Sequence, residues 1–281
     1  MKTKVYDCFC FFNEDMLLKL RLDTLWDEVD YFVLCESVIT ISGKPKPPYF
    51  EINKFEKYKS KIRHLIVEDY PFDTNDAWRN ERFQRNYIAE GLFDAVASDL
   101  ILISDVDEIP EPSLIRTYDP NKYLRGDFEQ RNYAYFLNNL NVKGSKPTPW
   151  YGSRITTFKY FKEYFFEIER IRSFKSVGIF RSIKRAYFKR FKVQVIRNGG
   201  WHFSWIGNFQ KIIEKLESFA HQEYNKSEYK DPKHMEERIR NGEHILIPGL
   251  RYEIQEMDSQ FPKALLNNID FYKSSILIKN K

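Results

Sequence analysis

This sequence of 281 residues has few cysteines, and it lacks long apolar runs and internal repeats. The three cysteines (Cys8, Cys10 and Cys35) are an odd number in strand-like sequence, which argues against a disulfide framework and against a paired-ligand zinc site. No apolar run approaches the roughly 18 residues of a membrane-spanning helix. The opening segment has no small-residue cleavage site, so a strand explains it better than a signal peptide. We therefore expect a reduced, cytoplasmic protein.

Aromatic side chains are abundant, at 17% of all residues beside an ordinary hydrophobic content of 42%. A chain of this length can bury one substantial core and still present aromatic faces to a ligand. The net charge of +5 favours anionic partners, and no nucleic-acid-binding motif is present, so nucleic acid is not an expected partner. We expect a single domain over residues 1–281, with one half over 1–126 and a second half over 127–281.

Strand-like and helix-like segments alternate over the first 110 residues, and each of the four predicted strands ends in polar residues. This alternation is typical of an α/β fold with a central, mostly parallel sheet flanked by helices. Ligands of such sheets bind beyond the carboxyl ends of the strands. That rule predicts one polar crevice beside Asn13–Glu14, Glu36–Ser37, Asp69 and Asp105–Glu108. The second half shows antiparallel strand patterns, which we expect to form the other side of the site.

Three carboxylates crowd the end of the fourth predicted strand, in the stretch LILISDVDEIP at residues 100–110. Asp105 and Asp107 are two residues apart, so a strand would project both to the same side. Carboxylate oxygens suit Mg²⁺ or Mn²⁺, which can then neutralise charge on a phosphate leaving group. The alternative is a solvated turn, but uncompensated charge at the end of a buried strand is costly. The position therefore favours a metal site.

Several ordered blocks of this sequence resemble those of glycosyltransferase family 17. They are YDCFCFFNEDMLLKLRL, VDYFVLCES, GKPKPPYF, NERFQRN, ISDVDEIP and GGWHFSWIG, spread from residue 6 to about residue 207. The resemblance implies a GT-A-like, Rossmann-type fold that binds a nucleotide sugar. It also implies an inverting transfer of a sugar from a UDP-sugar donor to a hydroxyl of a glycan or glycolipid acceptor. For this family the sugar is N-acetylglucosamine. The resemblance further implies that the transfer depends on a metal, with Mn²⁺ or Mg²⁺ as cofactor.

Two arginines fall on one face of a helix predicted over residues 77–97. Arg82 and Arg85 lie on the same stripe as Trp78, Phe93 and Val96, so the arginine end of that stripe is predicted to face the crevice. Arginine suits bidentate phosphate contact. The alternative is a pair of internal ion pairs with nearby glutamates. The family resemblance favours a role for both arginines, together with Asp105, in binding the donor.

The loop that follows the second predicted strand supplies further candidates. Glu36 and Ser37 occupy the position that holds the nucleoside in GT-A enzymes, so the resemblance implies donor binding. Lys44 lies in a proline-stiffened loop and is a candidate for contact with the acceptor. A stiff surface loop without a ligand is the alternative.

The block GGWHFSWIG supplies three more candidates. His202 stands among aromatic residues, where a core role is common. The resemblance implies instead that His202 completes the metal site with Asp105 and Asp107. Trp201 and Trp205 are candidates for stacking on an acceptor sugar, or else belong to the core.

An inverting transfer needs one carboxylate as general base near the acceptor oxygen. Several acidic residues lie in the second half, and the sequence singles out none of them. Glu163 and Glu167 are our candidates.

Residues 170–213 contain eleven lysines or arginines and no acidic residue. This stretch is either a solvated basic face or a surface for an anionic acceptor or an anionic membrane, which the protein would contact peripherally. Two functions of other kinds stay open at this point. One is a nucleotidyl- or phosphotransferase that uses the same carboxylate–metal chemistry, and the other is a non-catalytic sugar-binding module.

Overall fold

A computed structural model describes residues 2–72, 76–144, 146–173, 186–188, 192–218 and 229–278. Fourteen strands lie within these ranges: β1 (Val5–Cys10), β2 (Tyr31–Ser37), β3 (Ile62–Val67), β4 (Leu100–Asp105), β5 (Glu108–Pro110), β6 (Arg125–Phe128), β7 (Gln130–Ala134), β8 (Asn139–Lys143), β9 (Lys146–Pro147), β10 (Pro149–Trp150), β11 (Arg154–Thr157), β12 (Val193–Ile196), β13 (Gly200–Ser204) and β14 (Arg251–Ile254).

The larger sheet has seven strands in the order β12-β6-β11-β4-β1-β2-β3. Strands β1 to β4 pair in parallel, as their alternation with helices predicts, and β11 is antiparallel to both of its neighbours. The predicted α/β class with a mostly parallel sheet and an antiparallel portion is confirmed. Because β1, β2 and β4 are adjacent and parallel, their carboxyl ends meet at one edge, where a ligand can reach several of them.

A second sheet has the order β14-β8-β7-β13-β5 and comes largely from the second half of the chain. Its strand β13 pairs with β5 so that His202 lies opposite Glu108, and with β7 so that His202 lies opposite Asn132. Strand β5 follows β4 directly, so the turn between them joins the two sheets. This pairing brings the histidine block of the sequence beside the carboxylate block.

The helices cover the larger sheet and the outer side of the smaller one. The α-helices are Asp15–Leu25, Ala77–Tyr87, Phe158–Tyr160, Ile168–Arg172, Phe209–Ser218, Pro232–Arg240, Lys263–Leu266 and Ile269–Tyr272. More tightly wound 3₁₀ segments span Ile52–Lys61, Ile88–Leu92, Pro112–Thr117 and Lys273–Ser275, and a π-helical turn spans Phe161–Phe165. None of the helices in the described ranges has the length and apolar character that crossing a bilayer requires.

The predicted long helix over residues 77–97 is wrong in its second half. The α-helix ends at Tyr87, and the chain continues as the 3₁₀ segment. The change of pitch alters the direction of every later side chain, so Phe93 and Val96 are 78% and 50% exposed and do not pack in the core. Gly91 lies in this segment, and a Cβ there would come within 2.3 Å of Val33. The close contact holds the segment tightly against the sheet.

The core lies on both faces of the larger sheet. Val5 and Phe9 of β1 pack on one face, and Tyr6 and Cys8 on the other, as expected for a buried strand with alternating side chains. The three cysteines are free, as predicted, and burial raises the pKa of Cys35 well above its ordinary value. A third apolar cluster packs the smaller sheet against the helices at 209–218 and 232–240.

Candidate active site

A crevice of about 380 Å³ opens at the carboxyl ends of β1, β2 and β4. That volume is within the range of small-molecule sites. Glu14, Asp105 and Asp107 line it, as the polar strand ends predict. Asp69 does not, because it is exposed beyond the edge strand β3. The predicted crevice therefore exists, but without a contribution from the end of β3.

The carboxylate turn after β4 is shaped by Arg21, an arginine with no exposed surface. Its guanidinium pairs with Asp7 at 2.6 Å and donates to the carbonyls of Asp105 and Glu108, each at 2.9 Å. Further bonds go to the Ser104 hydroxyl and to the carbonyl of Val106. The fixed fork of a guanidinium can satisfy several acceptors at once, so one helix residue sets the direction of the turn from below.

Replacing Arg21 with methionine should destabilise the fold by about 3–5 kcal/mol, because the buried Asp7 charge would lose its partner. Urea unfolding would measure the loss. Arg21→Lys should restore part of the stability through the charge, but not the bonds to the carbonyls of the turn. Lys19→Met is the matched control, since the Lys19 side chain is 33% exposed and Asp23 keeps its bonds to Lys57 and Tyr58, so the loss should be at most about 1 kcal/mol. Equal losses for Arg21→Met and the control would contradict this role.

The crowding of carboxylates in the sequence is resolved by Arg172. Its guanidinium reaches Asp105 at 2.5 Å and Glu108 at 2.6 Å. Glu108 also accepts bonds from the Trp150 indole at 2.8 Å and the Asp105 backbone N–H at 2.8 Å. Although burial opposes its ionisation, the charge of Arg172 and these bonds hold the pKa of Glu108 well below its ordinary value. A Cβ at Gly152 would come within 2.1 Å of this carboxylate, so only glycine fits there.

Arg85 is the second buried cation of the crevice. It pairs with Glu169 at 2.5 Å, with Glu81 at 2.7 Å and with Asp105 at 3.3 Å. The internal pairing considered from the sequence is thus present at Glu81. Arg85 also binds Asp105, which lines the crevice. This arginine therefore both forms an internal ion pair and faces the crevice.

Asp107, Glu108 and His202 form a cluster whose possible ligand atoms lie within 4.8 Å of one another. The Nδ1 atom of His202 is 3.0 Å from the amide oxygen of Asn132, an acceptor, so the proton is assigned to Nδ1. In the neutral ring Nε2 then carries the lone pair, and this atom lies 3.9 Å from Asp107 Oδ2. The ring stacks on Trp150 at 4.5 Å, which fixes its orientation. A tautomer set by a partner oxygen is typical of metal-binding histidine.

The donor set fits Mn²⁺ or Mg²⁺ at Asp107 and His202, but less well at the other carboxylates. Each Glu108 oxygen already accepts two hydrogen bonds, which leaves little capacity for a cation. Asp105 is held by the two arginines, although its side chain is 37% exposed at the crevice. Two of the three predicted metal residues, Asp107 and His202, thus lie in this cluster, whereas Asp105 lines the crevice without belonging to it.

Glu36 and Ser37 are buried behind the crevice. Glu36 accepts backbone N–H groups of Tyr49 and Phe50 at 2.7 and 3.1 Å and lies 2.8 Å from His64. This carboxylate holds the proline-rich loop in place, so it can influence a nucleoside only through that loop. Burial lowers the pKa of Lys46, which lies 3.8 Å from Glu36 and lines the crevice. Lys44 is exposed and is not among the lining residues that the structure describes.

Arg82 and Glu167 bind each other, with Nη2 of the arginine 2.5 Å from the carboxylate. Neither is among the described residues that line the crevice. Glu163 is exposed on the π-helical turn and is likewise absent from the described lining. The helix at 77–87 turns Arg85 inward, and Arg82 lies one turn away on the rim. The structure therefore gives no direct support to these three site predictions.

Trp201 and Trp205 differ in their surroundings. Trp201 is 6% exposed and donates its indole N–H to the carbonyl of Gln260, so its ring belongs to the core. Trp205 is half-buried and lines a second cavity next to the crevice. Side chains alternate along β13, so Trp201 and Phe203 point to the core while His202 points to the carboxylates.

Six of the eleven basic residues in the stretch 170–213 lie outside the described residues, since 174–185 and 189–191 are not described. The first part of the stretch contains Arg172, a residue that the sequence analysis missed as a site component. The sequence did contain a signal for Arg172, because an arginine in an acid-free stretch needs carboxylates from elsewhere in the chain. Arg21, Lys46 and Trp150 were missed for lack of any local pattern.

Comparison with known proteins gives one family. Residues 1–140 match the family model described as glycosyltransferase family 17. The β-1,4-mannosyl-glycoprotein 4-β-N-acetylglucosaminyltransferases of Homo sapiens and Rattus norvegicus are each 31% identical over 107 residues. The match covers 35% of this chain and 20% of each relative, so the chain matches only about a fifth of their length.

Solved structures give weaker similarities. The inositol-1-phosphate CTP transferase from T. maritima aligns with a TM-score of 0.36 at 13% identity, over 69% of this chain and 85% of that one. The glucosyl-3-phosphoglycerate synthase from Mycobacterium tuberculosis, in complex with Mn²⁺, UDP and glucosyl-3-phosphoglycerate, aligns with a TM-score of 0.33 at 12% identity, over 71% of each chain. These scores are too low to carry an argument about the site.

Proposed function

This chain belongs to glycosyltransferase family 17, and on that basis we propose that it transfers N-acetylglucosamine from a UDP-sugar to a hydroxyl of a glycan acceptor, with inversion. The observation that supports this most is the arrangement of Asp107 and His202 at the carboxyl end of a central parallel strand. A UDP-sugar would place its diphosphate there, since strand ends of this kind are where such folds bind ligands. The mannosyl acceptor named for the relatives indicates the acceptor to test first.

The charge of the crevice floor favours a metal. Among the described residues, the floor and walls of the crevice carry four carboxylates and three cations, a formal sum of −1. The carboxylates are Glu14, Glu81, Asp105 and Asp107, and the cations are Lys46, Arg85 and Arg172. A diphosphate brought to this floor would be repelled unless a further cation came with it. Asp107 and His202 are the residues that would hold that cation.

A bound Mn²⁺ or Mg²⁺ would supply Lewis-acid stabilisation of the departing diphosphate. The chain's own residues would do the rest. Arg172 and Arg85 hold the Asp105 carboxylate at the crevice, and Trp150 keeps the His202 ring in its stacked orientation. Trp78 is 55% exposed on the crevice wall and offers an aromatic face to the donor base. Lys46 adds a positive charge on the opposite side.

A binding screen would test this proposal. UDP, UDP-N-acetylglucosamine, UDP-glucose and UDP-galactose would each be titrated by calorimetry, with Mn²⁺ and then with EDTA. We expect the N-acetylglucosamine donor to bind with Mn²⁺ and to release UDP when p-nitrophenyl β-mannoside is added. Release of pyrophosphate from UTP and a sugar phosphate would instead indicate a nucleotidyltransferase. Binding of sugars alone, without any affinity for UDP, would indicate a binding module, and either result would overturn the proposal.

The glycolipid acceptor and the contact with a membrane remain predictions. A glycolipid acceptor and peripheral contact with an anionic membrane both rest on the basic stretch, in which six of the eleven basic residues lie outside the described residues. Flotation with anionic and neutral vesicles would separate a membrane surface from a solvated basic face. Binding to anionic vesicles only, lost at high salt, is the expected result.

A further inference from the structure

A second cavity, of about 150 Å³, adjoins the crevice. Phe12 and Glu14 line both spaces, so they form the boundary between them. The far wall of the second cavity comes from the end of β13 and the start of the helix at 209–218, through Trp205, Asn208 and Lys211. Two distant parts of the sequence thus enclose a space next to the donor crevice.

The lining of this cavity has the chemistry of a sugar site. It combines an indole, an amide, an ammonium group and carboxylates, which together offer an apolar face and several hydrogen-bonding groups to a neutral polyol. Lys211 also donates to the carbonyl of Asn13 at 3.3 Å, which ties the two walls together. The cavity is too small for a nucleotide but borders a space that is large enough for one.

Backbone strain is concentrated at the same place. Asn13 has a φ of +114° and Trp205 a φ of +59°, and both line this cavity. Residues other than glycine seldom adopt such values, and they persist where the surrounding structure holds them, often at ligand sites. The strain at Asn13 directs the next residue, Glu14, to the boundary of the two spaces.

Four carboxylates line the crevice among the described residues: Glu14, Glu81, Asp105 and Asp107. Of these four, Glu14 is the one that also lines the second cavity. The backbone N–H of Phe12 donates to its carboxylate at 3.1 Å. Its place between the two cavities is where an acceptor hydroxyl would meet a donor.

From this geometry we propose that the second cavity is the acceptor subsite and that Glu14 is the general base, an inference that rests on the proposed function. The acceptor oxygen forms a bond to the anomeric carbon of the donor, and its proton passes to the Glu14 carboxylate. The bond from the anomeric carbon to the diphosphate oxygen breaks, and its electron pair leaves with UDP. Trp205 is the face against which the acceptor sugar packs.

Glu14→Gln is the direct test. The amide oxygen can still accept the Phe12 N–H, so the local structure should be retained, but the amide cannot take a proton. We expect kcat with UDP-N-acetylglucosamine and p-nitrophenyl β-mannoside to fall by about 10²–10⁴, the usual contribution of general-base catalysis. The affinity for UDP with Mn²⁺ should be unchanged. The acidic limb of the pH–rate profile should disappear.

Two further variants complete the design. Glu56→Gln removes an exposed glutamate far from both cavities and should leave all of these values unchanged. Trp205→Ala should raise the acceptor KM about tenfold or more without changing the affinity for UDP.

The outcomes are distinguishable. If wild-type protein binds no UDP, or turns over no donor, the proposed function fails and this inference with it. If wild-type protein transfers the sugar and Glu14→Gln keeps the wild-type kcat and pH profile, only the assignment of Glu14 is overturned. If Trp205→Ala leaves the acceptor KM unchanged, the location of the acceptor subsite is wrong.

Discussion

Asp107→Asn is expected to abolish the Mn²⁺-dependent part of UDP binding and to lower turnover by about 100- to 1000-fold. That range corresponds to the several kcal/mol of charge stabilisation that a metal supplies, at about 1.4 kcal/mol for each factor of ten. The reason is the position of Asp107 beside Nε2 of His202, at 3.9 Å. Calorimetric titration of UDP with Mn²⁺ would measure the binding, and UDP release would measure turnover.

A titration in EDTA separates the metal role from simple damage to the site. Without metal, the variant should bind UDP as weakly as the wild type, or slightly better, because one negative charge has left a crevice lining with a formal sum of −1. Asp270→Asn is the control, since Asp270 is exposed on the helix at 269–272, away from the crevice. Unchanged UDP affinity for Asp107→Asn in Mn²⁺ would refute the metal assignment.

Arg172→Met is expected to cost about 3–5 kcal/mol of the free energy of unfolding, the usual penalty for leaving a buried charge unpaired. Glu108 is 1% exposed and would keep its charge without the guanidinium that now lies 2.6 Å away. Urea unfolding at pH 7 would measure the loss. Arg170→Met, two residues away and exposed, is the matched control and should change stability by less than about 0.5 kcal/mol.

A double variant tests the cause of that loss. In Arg172→Met with Glu108→Gln, no buried carboxylate would remain at position 108, so much of the stability should return. If the double variant were as unstable as the sum of the two single variants, the interaction between these residues would be small. Packing around residue 172 would then account for the loss.

The pH dependence follows from the direction of the Glu108 pKa. Arg172 and the hydrogen bonds lower that pKa in the folded state, so Glu108 contributes stability above its unfolded pKa of about 4.3 and loses it as the pH falls below that value. The stability difference between wild type and Arg172→Met should therefore be complete at pH 7 and should narrow below about pH 4.3. A difference that stayed constant down to pH 3 would contradict this account.

Local patterns in the sequence determined the elements of the first half and the place of the crevice. The alternation of strand-like and helix-like segments predicted the parallel strands β1 to β4. A fully buried strand needs a continuous apolar run and ends where polar residues begin. The spacing of Asp105 and Asp107 marked the strand end where the cluster lies. Such features depend on residues close together in the chain, so a single stretch of sequence contains them.

The partners of those carboxylates were decided only by the tertiary structure. Arg172 is 67 residues from Asp105, and Arg21 is 84 residues from it, yet both bind this one turn. The helix at 77–87 also ends early, which turned Phe93 and Val96 outward, and the alternation of β13 buried Trp201 while directing His202 to Asp107. A buried charge must be compensated, so the sequence requires a partner for each carboxylate. Many arginines could meet that need, and only chain packing determines which of them does.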